Sequence, residues 1–219
     1  MTIDKLEVLR YLGHTNQDID SNTEQLLNEC LIEINELMTK KFVYELFDMD
    51  KKENSISLRD TILVMESKDI SNHLAKSDKC VLMAASLGLQ VDIKIAYYSR
   101  TDVTKSLILD AYASTAIEAL CDEIEETIRK EACDHGYNIT SRFSPGYGDL
   151  PITLQKPITQ VLKTYPKMGL TVNESSIMLP RKSVTAIIGW QKEQPDTKII
   201  KCKLCNKQNC SFRRAEYNG

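Results

Sequence analysis

The amino-acid sequence predicts an α+β fold, in which helices pack on a mixed, mostly antiparallel sheet. Several long segments carry apolar residues at three- and four-residue spacing, which is typical of amphipathic helices. Other segments are short and rich in β-branched residues, which is typical of strands. The strand-like segments do not alternate strictly with the helical ones. This order argues against a doubly wound parallel sheet.

The N-terminal part is predicted to hold two helices and two extended segments. Apolar residues within 3–12 indicate a short amphipathic helix that ends at Gly13. A second helix, with an acidic or hydroxyl N-cap, is predicted from about 20–40. Residues 42–47 are rich in β-formers and predict a strand, and a further apolar run lies within 55–65.

The middle of the chain carries the strongest helical signal. After a short helix at 70–75, residues 80–88 are almost continuously apolar, as in a strand buried on both faces. Helices are then predicted over 89–99 and over 104–135, the longest helical run. The core stripe of that last helix comprises Leu109, Tyr112, Ala116, Leu120, Ile124 and Ile128.

The remaining elements follow a glycine at the end of the long helix. Residues 137–143 and 170–172 are predicted to be extended, and 183–190 to be a strand. A helix is predicted over 151–165. Its inward-facing residues are expected to include Ile152, Val161 and Leu162.

Composition excludes several classes of function. Hydrophobic residues at 42% and charged residues at 27% are ordinary for a globular protein, and a net charge of -3 gives no basis for broad nucleic-acid or acidic-membrane binding. No apolar run reaches the roughly 18 residues that span a bilayer, and the N-terminus lacks an apolar signal core. We therefore expect a cytoplasmic protein with one domain over 1–200 and a cysteine-rich tail over 201–219.

The seven cysteines do not resemble a secreted disulfide framework, because their number is odd and their spacing irregular. Four of them lie in apolar or helical contexts and are expected to be small core residues. These four are Cys30, Cys80, Cys121 and Cys133.

The last three cysteines, Cys202, Cys205 and Cys210, form Cys-x2-Cys-x4-Cys, a metal-ligand spacing. Neighbouring lysines and arginines favour thiolates. Three thiolates are one short of a closed zinc site or a four-cysteine iron–sulfur cluster. The tail is predicted to bind an iron–sulfur cluster, with zinc and a tail of unliganded thiols as the alternatives.

Residues 142–151 form the stretch most suited to ligand binding. They contain two of the eight glycines and two of the six prolines. Gly146 and Gly148 flank Tyr147 and would let the backbone approach a ligand, while Arg142 suits a carboxylate or phosphate. A proline-containing surface turn with a solvated arginine explains the same composition.

Glu118 is the candidate carboxylate on the long helix. It lies off the apolar stripe, and its helical neighbours Ser114, Thr115 and Cys121 are modest in size, which leaves room for a ligand. The helix also holds several other acidic residues, so Glu118 alternatively is one more solvated glutamate.

Taken together, Glu118 and the Arg-x-x-x-Gly-Tyr motif at 142–147 resemble the reactivation domain of cobalamin-dependent methionine synthase. A third block, 174–184, resembles the segment that follows in that family, and the three blocks fall in family order. Residues 9–13 and 84–88 also resemble stand-alone relatives of the domain. The resemblance thus extends over most of the chain and implies an activation-domain-like fold.

The resemblance implies that the ligand is S-adenosylmethionine, and no G-x-G-x-x-G fingerprint in the chain identifies it independently. Arg142 would bind the ligand's carboxylate, Glu118 would face a positive centre or an amine, and the loop backbone would approach the ligand. The implied binding residues are Glu118, Arg142, Ser144, Gly146 and Tyr147. One departure is that Ile199 and Ile200 stand where the family places two tyrosines.

The resemblance also implies a cobalamin, and the chain lacks the Asp-x-His-x-x-Gly signature of a cobalamin-carrying domain. The cobalamin is therefore expected on a separate methionine synthase subunit. An outside electron donor, such as a flavodoxin-type protein, would reduce cob(II)alamin while S-adenosylmethionine supplies the methyl group. No side chain need act as an acid or base in this step.

Two other functions agree with the same residues. The first is an activator of another corrinoid protein, in which the cysteine tail passes electrons. The second is a non-catalytic, metal-stabilised module for protein docking. Binding of S-adenosylmethionine separates both activator functions from the docking module.

Overall fold

The computed structural model describes residues 2–14 and 18–193 of the 219-residue chain. Within these ranges the chain forms seven α-helices and eight strands. The helices are α1 (Lys5–Tyr11), α2 (Ser21–Leu37), α3 (Lys68–His73), α4 (Leu89–Thr101), α5 (Val103–Asp134), α6 (Gln155–Val161) and α7 (Thr164–Met168). The strands are β1 (Lys41–Lys52), β2 (Ser55–Leu58), β3 (Val64–Glu66), β4 (Ser77–Ser86), β5 (Asn138–Ile139), β6 (Thr171–Val172), β7 (Met178–Leu179) and β8 (Ser183–Gln191).

The six-stranded main sheet has the order β3-β2-β1-β4-β8-β5, and β6 and β7 form a small separate sheet. All of these pairings are antiparallel. The predicted α+β class with a mostly antiparallel sheet is therefore confirmed.

Strand β4 lies in the middle of the sheet and separates two hydrophobic clusters. Val81 and Met83 belong to the cluster that includes residues of α1, α2, α4 and α5. Cys80 and Leu82 belong to the cluster on the other face, which includes residues of α3, α6, β2 and β3. Successive side chains of a strand point to opposite faces, so burial on both faces requires the continuous apolar run seen in the sequence.

Helix α5 crosses the helical face of this sheet. The side chain of Asp102 caps it by accepting a hydrogen bond from the backbone N–H of Lys105 at 3.0 Å. All six residues of its predicted core stripe are buried. The helix thus presents an opposite, acidic face that includes Glu118 to the solvent.

The predicted helix over 151–165 is wrong as a single element. It consists of a 3-10 turn at Ile152–Leu154, then α6, a break at Lys163 in the left-handed conformation (φ 52°), and α7. Because Ile152 lies in the 3-10 turn, its side chain is 45% exposed instead of facing inward.

The segment 55–65 holds β2 and the start of β3, with a turn between them at Asp60 (φ 60°), and its apolar run leads from that turn into β3. One further expectation needs correction. Cys133 is exposed rather than buried, because it lies one residue away from the buried position Ala132 near the end of α5. Across 2–14 and 18–193, none of the helices combines the length and the apolar character that a membrane crossing requires.

Candidate ligand-binding site

Arg142 is held on the edge of the sheet by hydrogen bonds on both sides of it. The backbone N–H of Thr140 donates to the carbonyl of Gly189 at 2.9 Å. Phe143 and Ile187 exchange two backbone hydrogen bonds at 2.9 and 2.8 Å. Gly189 and Ile187 both belong to β8. The main sheet, rather than a mobile loop, therefore sets the position of Arg142.

The Arg142 side chain reaches the acidic face of α5. Its Nη2 atom lies 2.8 Å from Oδ1 of Asp122 and 3.3 Å from Oε2 of Glu118. Its Nε atom lies 3.5 Å from Oε2 of Glu125. The Arg142 side chain is 18% exposed, whereas the side chains of Glu118 and Asp122 are 51% and 66% exposed. The cation is therefore enclosed, while two of its carboxylate partners remain open to solvent.

The structure brings Arg142 and Glu118 into direct contact, although the sequence suggested separate contacts with two ends of a ligand. Asp122 and Glu125 were not among the residues predicted for the site. They follow Glu118 by four and seven residues, a spacing that puts all three carboxylates on one face of a helix. This periodicity is the signal that could have identified them.

The charges of the cluster keep the arginine ionised. Burial lowers the pKa of Arg142, but the neighbouring Cys121 and the Asp122, Glu118 and Glu125 carboxylates raise it, and the net shift is upward. Burial raises the pKa of the Cys121 thiol to about 12, even though Arg142 acts in the opposite direction. At neutral pH the cluster thus contains a guanidinium and a neutral thiol.

Tyr147 lies beside this cluster and is 51% exposed. Its ring meets the ring of Phe143 edge-on, with the centroids 6.2 Å apart. Burial of its inner part and the charge of Glu118 raise the pKa of Tyr147, and Arg142 lowers it by a smaller amount. The tyrosine therefore keeps its proton at neutral pH and offers both a ring face and a hydroxyl group.

Helix α1 adds a second tyrosine near the same carboxylate. Burial and the charge of Glu118 raise the pKa of Tyr11. The guanidinium of Arg10 lies 4.7 Å from the centroid of the Tyr11 ring. The only sequence signal for this contribution was the resemblance at residues 9–13, which did not indicate a role for Tyr11.

The loop after Arg142 is fastened to the start of α3 by two carboxylates. Asp149 accepts hydrogen bonds from the Ser67 hydroxyl and from the backbone N–H groups of Lys68 and Asp69, the latter two at 2.9 and 3.1 Å. In return, Asp69 accepts a hydrogen bond from the backbone N–H of Asp149 at 3.1 Å. This reciprocal arrangement fixes the loop conformation next to Tyr147.

These contacts change the interpretation of the two glycines. Gly148 has φ 53°, and a Cβ atom on it would lie 2.0 Å from Oδ2 of Asp69. Its close backbone approach is thus to Asp69 rather than to a ligand. Gly146 has φ 93° and is exposed, and a Cβ atom there would lie 3.0 Å from Cδ1 of Ile152. Ser144 is half-buried and its carbonyl accepts a hydrogen bond from the Tyr147 N–H at 3.1 Å, which closes the turn.

Two surface cavities lie away from this cluster. One of about 380 Å³ is lined by residues of α1, α2 and the first turns of α5. The other, of about 350 Å³, lies around α6 and α7. Neither lining includes Arg142, Glu118 or Tyr147.

The predicted metal ligands Cys202, Cys205 and Cys210 lie outside the described residues, as do Ile199 and Ile200. In the part of the chain that the structure does describe, no group of three or more histidine, cysteine, aspartate or glutamate residues could hold a metal ion.

Comparison with known proteins identifies the family. The family model described as "Vitamin B12 dependent methionine synthase, activation domain" matches residues 15–214, which is most of the chain. The chain belongs to this activation-domain family. A search of curated proteins found no match. The matched span of the activation-domain model includes the three tail cysteines.

A solved structure supports the same fold. The crystal structure of the MetH reactivation domain bound to AdoHcy superposes with a TM-score of 0.64 at 18% sequence identity. The match covers 90% of this chain and 73% of that chain. The resemblance to the activation domain and the activation-domain-like fold are therefore both confirmed. The family places the chain in a cobalamin-dependent methyltransferase system.

Proposed function

We propose that this protein is an S-adenosylmethionine-binding reactivation subunit that supports reductive methylation of cob(II)alamin on a separate cobalamin-dependent methionine synthase. The observation that carries the proposal is the surface cluster of Arg142, Glu118 and Tyr147 in a chain of the activation-domain family. The matching MetH reactivation domain has AdoHcy bound. AdoHcy is what S-adenosylmethionine becomes when it gives up its methyl group.

The charges of the cluster suit this ligand. S-adenosylmethionine carries a sulfonium, an amine and one carboxylate, so it has more positive than negative groups. Arg142 faces three carboxylates, Glu118, Asp122 and Glu125, and the surplus of negative charge favours a cationic ligand. We infer that Arg142 binds the ligand's carboxylate and that the exposed Glu118 faces its amine or sulfonium.

Tyr147 supplies the aromatic surface of the proposed site. Half of its side chain is exposed next to the charge cluster. An aromatic ring face attracts a cation within about 6 Å and also stacks on a flat heterocycle. Tyr147 would therefore cover either the sulfonium or the adenine, and Tyr11, which lies near both Glu118 and Tyr147, would help to enclose the ligand. Ser144 and Gly146 would contribute the backbone of the turn.

The chain's residues would bind and orient the methyl donor without transferring protons. When bound on the partner, cobalamin supplies the nucleophile after a flavodoxin-type donor has delivered one electron, and S-adenosylmethionine supplies the methyl group. The raised pKa values of Tyr147 and Cys121 keep both groups protonated, and Arg142 stays charged. The contribution of the protein is then proximity and orientation.

The partner and the compartment are part of the proposal. The match to the activation-domain family supports a cobalamin-binding partner, and we place the cobalamin on another subunit. We place the reaction in the cytoplasm, where seven cysteines in odd number would remain reduced.

The cysteine tail would serve this reaction as a metal site. We propose that residues 201–219 form a unit separate from the domain over 1–200, with Cys202, Cys205 and Cys210 as ligands of an iron–sulfur cluster or zinc. Anaerobic purification with metal analysis and visible absorbance tests this. Loss of the metal in Cys205→Ser supports the proposal, and a metal content that is zero or unchanged contradicts it.

Calorimetric titration with S-adenosylmethionine tests the ligand. We expect binding by the wild-type chain and a loss of affinity of about tenfold or more in Arg142→Ala and Glu118→Gln. Arg129→Ala and Glu126→Gln change the same residue types at positions outside the proposed binding residues and are expected to bind normally. An absence of binding heat, or equal effects in all four variants, would overturn the proposed site.

A label-transfer experiment tests the reaction. The protein is mixed with an oxidised cobalamin-dependent methionine synthase, a reductant and methyl-labelled S-adenosylmethionine. Label should appear on the cobalamin only when all four components are present. If the protein binds S-adenosylmethionine normally but no label reaches the cobalamin, the proposed binding site stands and the reactivation function is rejected.

A further inference from the structure

Half of strand β1 forms an open edge of the main sheet. From Lys41 to Asp48 one side of β1 pairs with β4. On its other side, β2 pairs only with the last four residues, Met49–Lys52. Over residues 2–14 and 18–193, nothing forms a backbone hydrogen bond to that other side between Lys41 and Phe47.

The hydrogen-bonding groups on this edge belong to alternate residues. The carbonyl of Asp48 accepts a hydrogen bond from the Arg59 N–H at 3.0 Å on the β2 side. In an antiparallel sheet the N–H and C=O groups of every second residue point to the same side. The backbone groups of Phe42, Tyr44 and Leu46 therefore point to the open edge.

The side chains of the same three residues form an apolar row. Phe42 is 51% exposed and Leu46 is 39% exposed. The rings of Phe42 and Tyr44 are stacked in parallel with their centroids 6.5 Å apart. On the opposite face of the strand, Glu45 forms an ion pair with Lys167 of α7. An open edge with an exposed apolar row is a template for another strand, and this one has neither a proline nor a bulge to block it.

We propose that this edge pairs with the same edge of a second copy of the chain, antiparallel about a two-fold axis at Val43. This register places Phe42 opposite Tyr44 of the second copy, so the outward-pointing backbone groups of both residues can exchange hydrogen bonds. It also places Lys41 opposite Glu45 of the second copy. Each aromatic pair and each ion pair then occurs twice.

The self-complementary pattern favours a second copy over an unrelated strand. Opposite charges and aromatic pairs directly across an antiparallel ladder stabilise it, and like charges destabilise it. A two-fold interface requires that a strand carry its own complement, and Lys41-Phe42-Val43-Tyr44-Glu45 does so in this register. The pairing ends before Asp48, because Arg59 already occupies the position opposite it.

This dimer would leave the Arg142 cluster accessible. Strand β8, to which the Arg142 segment is bonded, lies two positions from β1 in the sheet, with β4 between them. Neighbouring strands are about 4.8 Å apart and the Arg142 segment pairs with the outer side of β8, so it is separated from β1 by about 14 Å. Ligand binding at Arg142 and self-association at β1 can therefore be measured independently.

Sedimentation of the full chain over a wide range of protein concentrations tests the proposal. We expect a monomer–dimer equilibrium. Lys41→Glu places two carboxylates opposite each other and Glu45→Lys places two ammonium groups opposite each other, and each should raise the dimer dissociation constant by about tenfold. The double variant Lys41→Glu with Glu45→Lys restores opposite charges and should restore the dimer.

The controls separate pairing from folding. Lys52→Glu changes the exposed far end of the same strand, where β2 already pairs, and should leave the dimer unchanged. Thermal unfolding of each variant reports whether loss of the Glu45–Lys167 contact alters the monomer. A wild-type chain that is monomeric throughout would overturn the proposal, as would a dimer that the single reversals leave intact. A dimer that forms only after removal of residues 194–219 would also overturn it, because the tail would then be the occupant.

Discussion

Nη2 of Arg142 lies 3.3 Å from Oε2 of Glu118, although the two residues are 24 positions apart in the sequence. One side chain comes from a segment bonded to β8 and the other from the exposed face of α5. Their contact connects the sheet edge to the long helix and gives the proposed ligand site its charge.

Removing the guanidinium should destabilise the protein as well as weaken ligand binding. Arg142→Ala leaves Glu118, Asp122 and Glu125 to repel one another without their cation. We expect the free energy of unfolding to fall by about 2 kcal/mol, measured by urea denaturation. Arg129→Ala removes a more exposed arginine of α5 and should lower it by less than about 1 kcal/mol. Equal losses would show that the Arg142 cluster has no structural role.

Gly148→Ala should be more destabilising than the same change at another glycine of positive φ. The new Cβ atom would lie 2.0 Å from Oδ2 of Asp69, in addition to the strain of φ 53°. We expect a loss of about 2–3 kcal/mol in unfolding free energy. Gly136→Ala, with φ 76° and nothing within 4 Å, reports the backbone strain alone and should lose about 1 kcal/mol.

A double variant checks the steric cause of the Gly148 effect. Asp69→Ala removes the carboxylate that the new methyl group would meet. Gly148→Ala should therefore destabilise an Asp69→Ala background less than it destabilises the wild type. Additive losses would show that the backbone conformation, and not the Asp69 contact, requires glycine.

The Asp149 carboxylate should make stability depend on pH in the acid range. The hydrogen bond from the Ser67 hydroxyl lowers the pKa of Asp149 most. Burial raises this pKa, but the N–H groups of Lys68 and Asp69 lower it further, so it lies below its usual value. Its contribution is fully present above the unfolded pKa of about 3.9 and is lost as pH falls through the lower folded pKa.

Asp149→Asn tests that contribution. The variant should be less stable than the wild type at neutral pH, and the difference should shrink below about pH 4, measured as unfolding free energy in a pH series. Asp134→Asn, an exposed change at the end of α5, serves as the surface control and should lower the unfolding free energy at neutral pH by less than Asp149→Asn does. If the difference in unfolding free energy between Asp149→Asn and the wild type does not change with pH, the lowered pKa of Asp149 does not contribute to stability.

Thiol labelling should distinguish Cys133 from the other described cysteines. Burial raises the pKa of Cys30 to about 11 and those of Cys80 and Cys121 to about 12, whereas Cys133 is exposed. In a chain with the three tail cysteines changed to serine, a thiol reagent should modify Cys133 rapidly. The other three should react only after denaturation. Rapid modification of two or more of the four described cysteines would contradict the burial of Cys30, Cys80 and Cys121.

Whether a prediction from the sequence was confirmed or wrong depends on how many residues carry its signal. Helix α5 and strand β4 were predicted because their apolar patterns, one periodic and one continuous, depend on burial of a whole face. The segment 151–165 was predicted wrongly because a local break at Lys163, in a left-handed conformation unusual for lysine, leaves the apolar spacing nearly unchanged. The prediction that Cys133 is buried was wrong for a similar reason. A shift of one position along a helix turns a side chain from the core to the solvent, and Cys133 is one position away from the buried Ala132.

By itself, the sequence determined the α+β class, the main helices and strands, and the family, because these depend on periodicity and on motifs that short segments carry. Only the tertiary structure decided that Arg142 meets Glu118, Asp122 and Glu125, that Asp69 occupies the space beside Gly148, and that half of β1 is an open edge. Each of these depends on which distant segments become neighbours, and that is set by how the two hydrophobic clusters pack against opposite faces of β4.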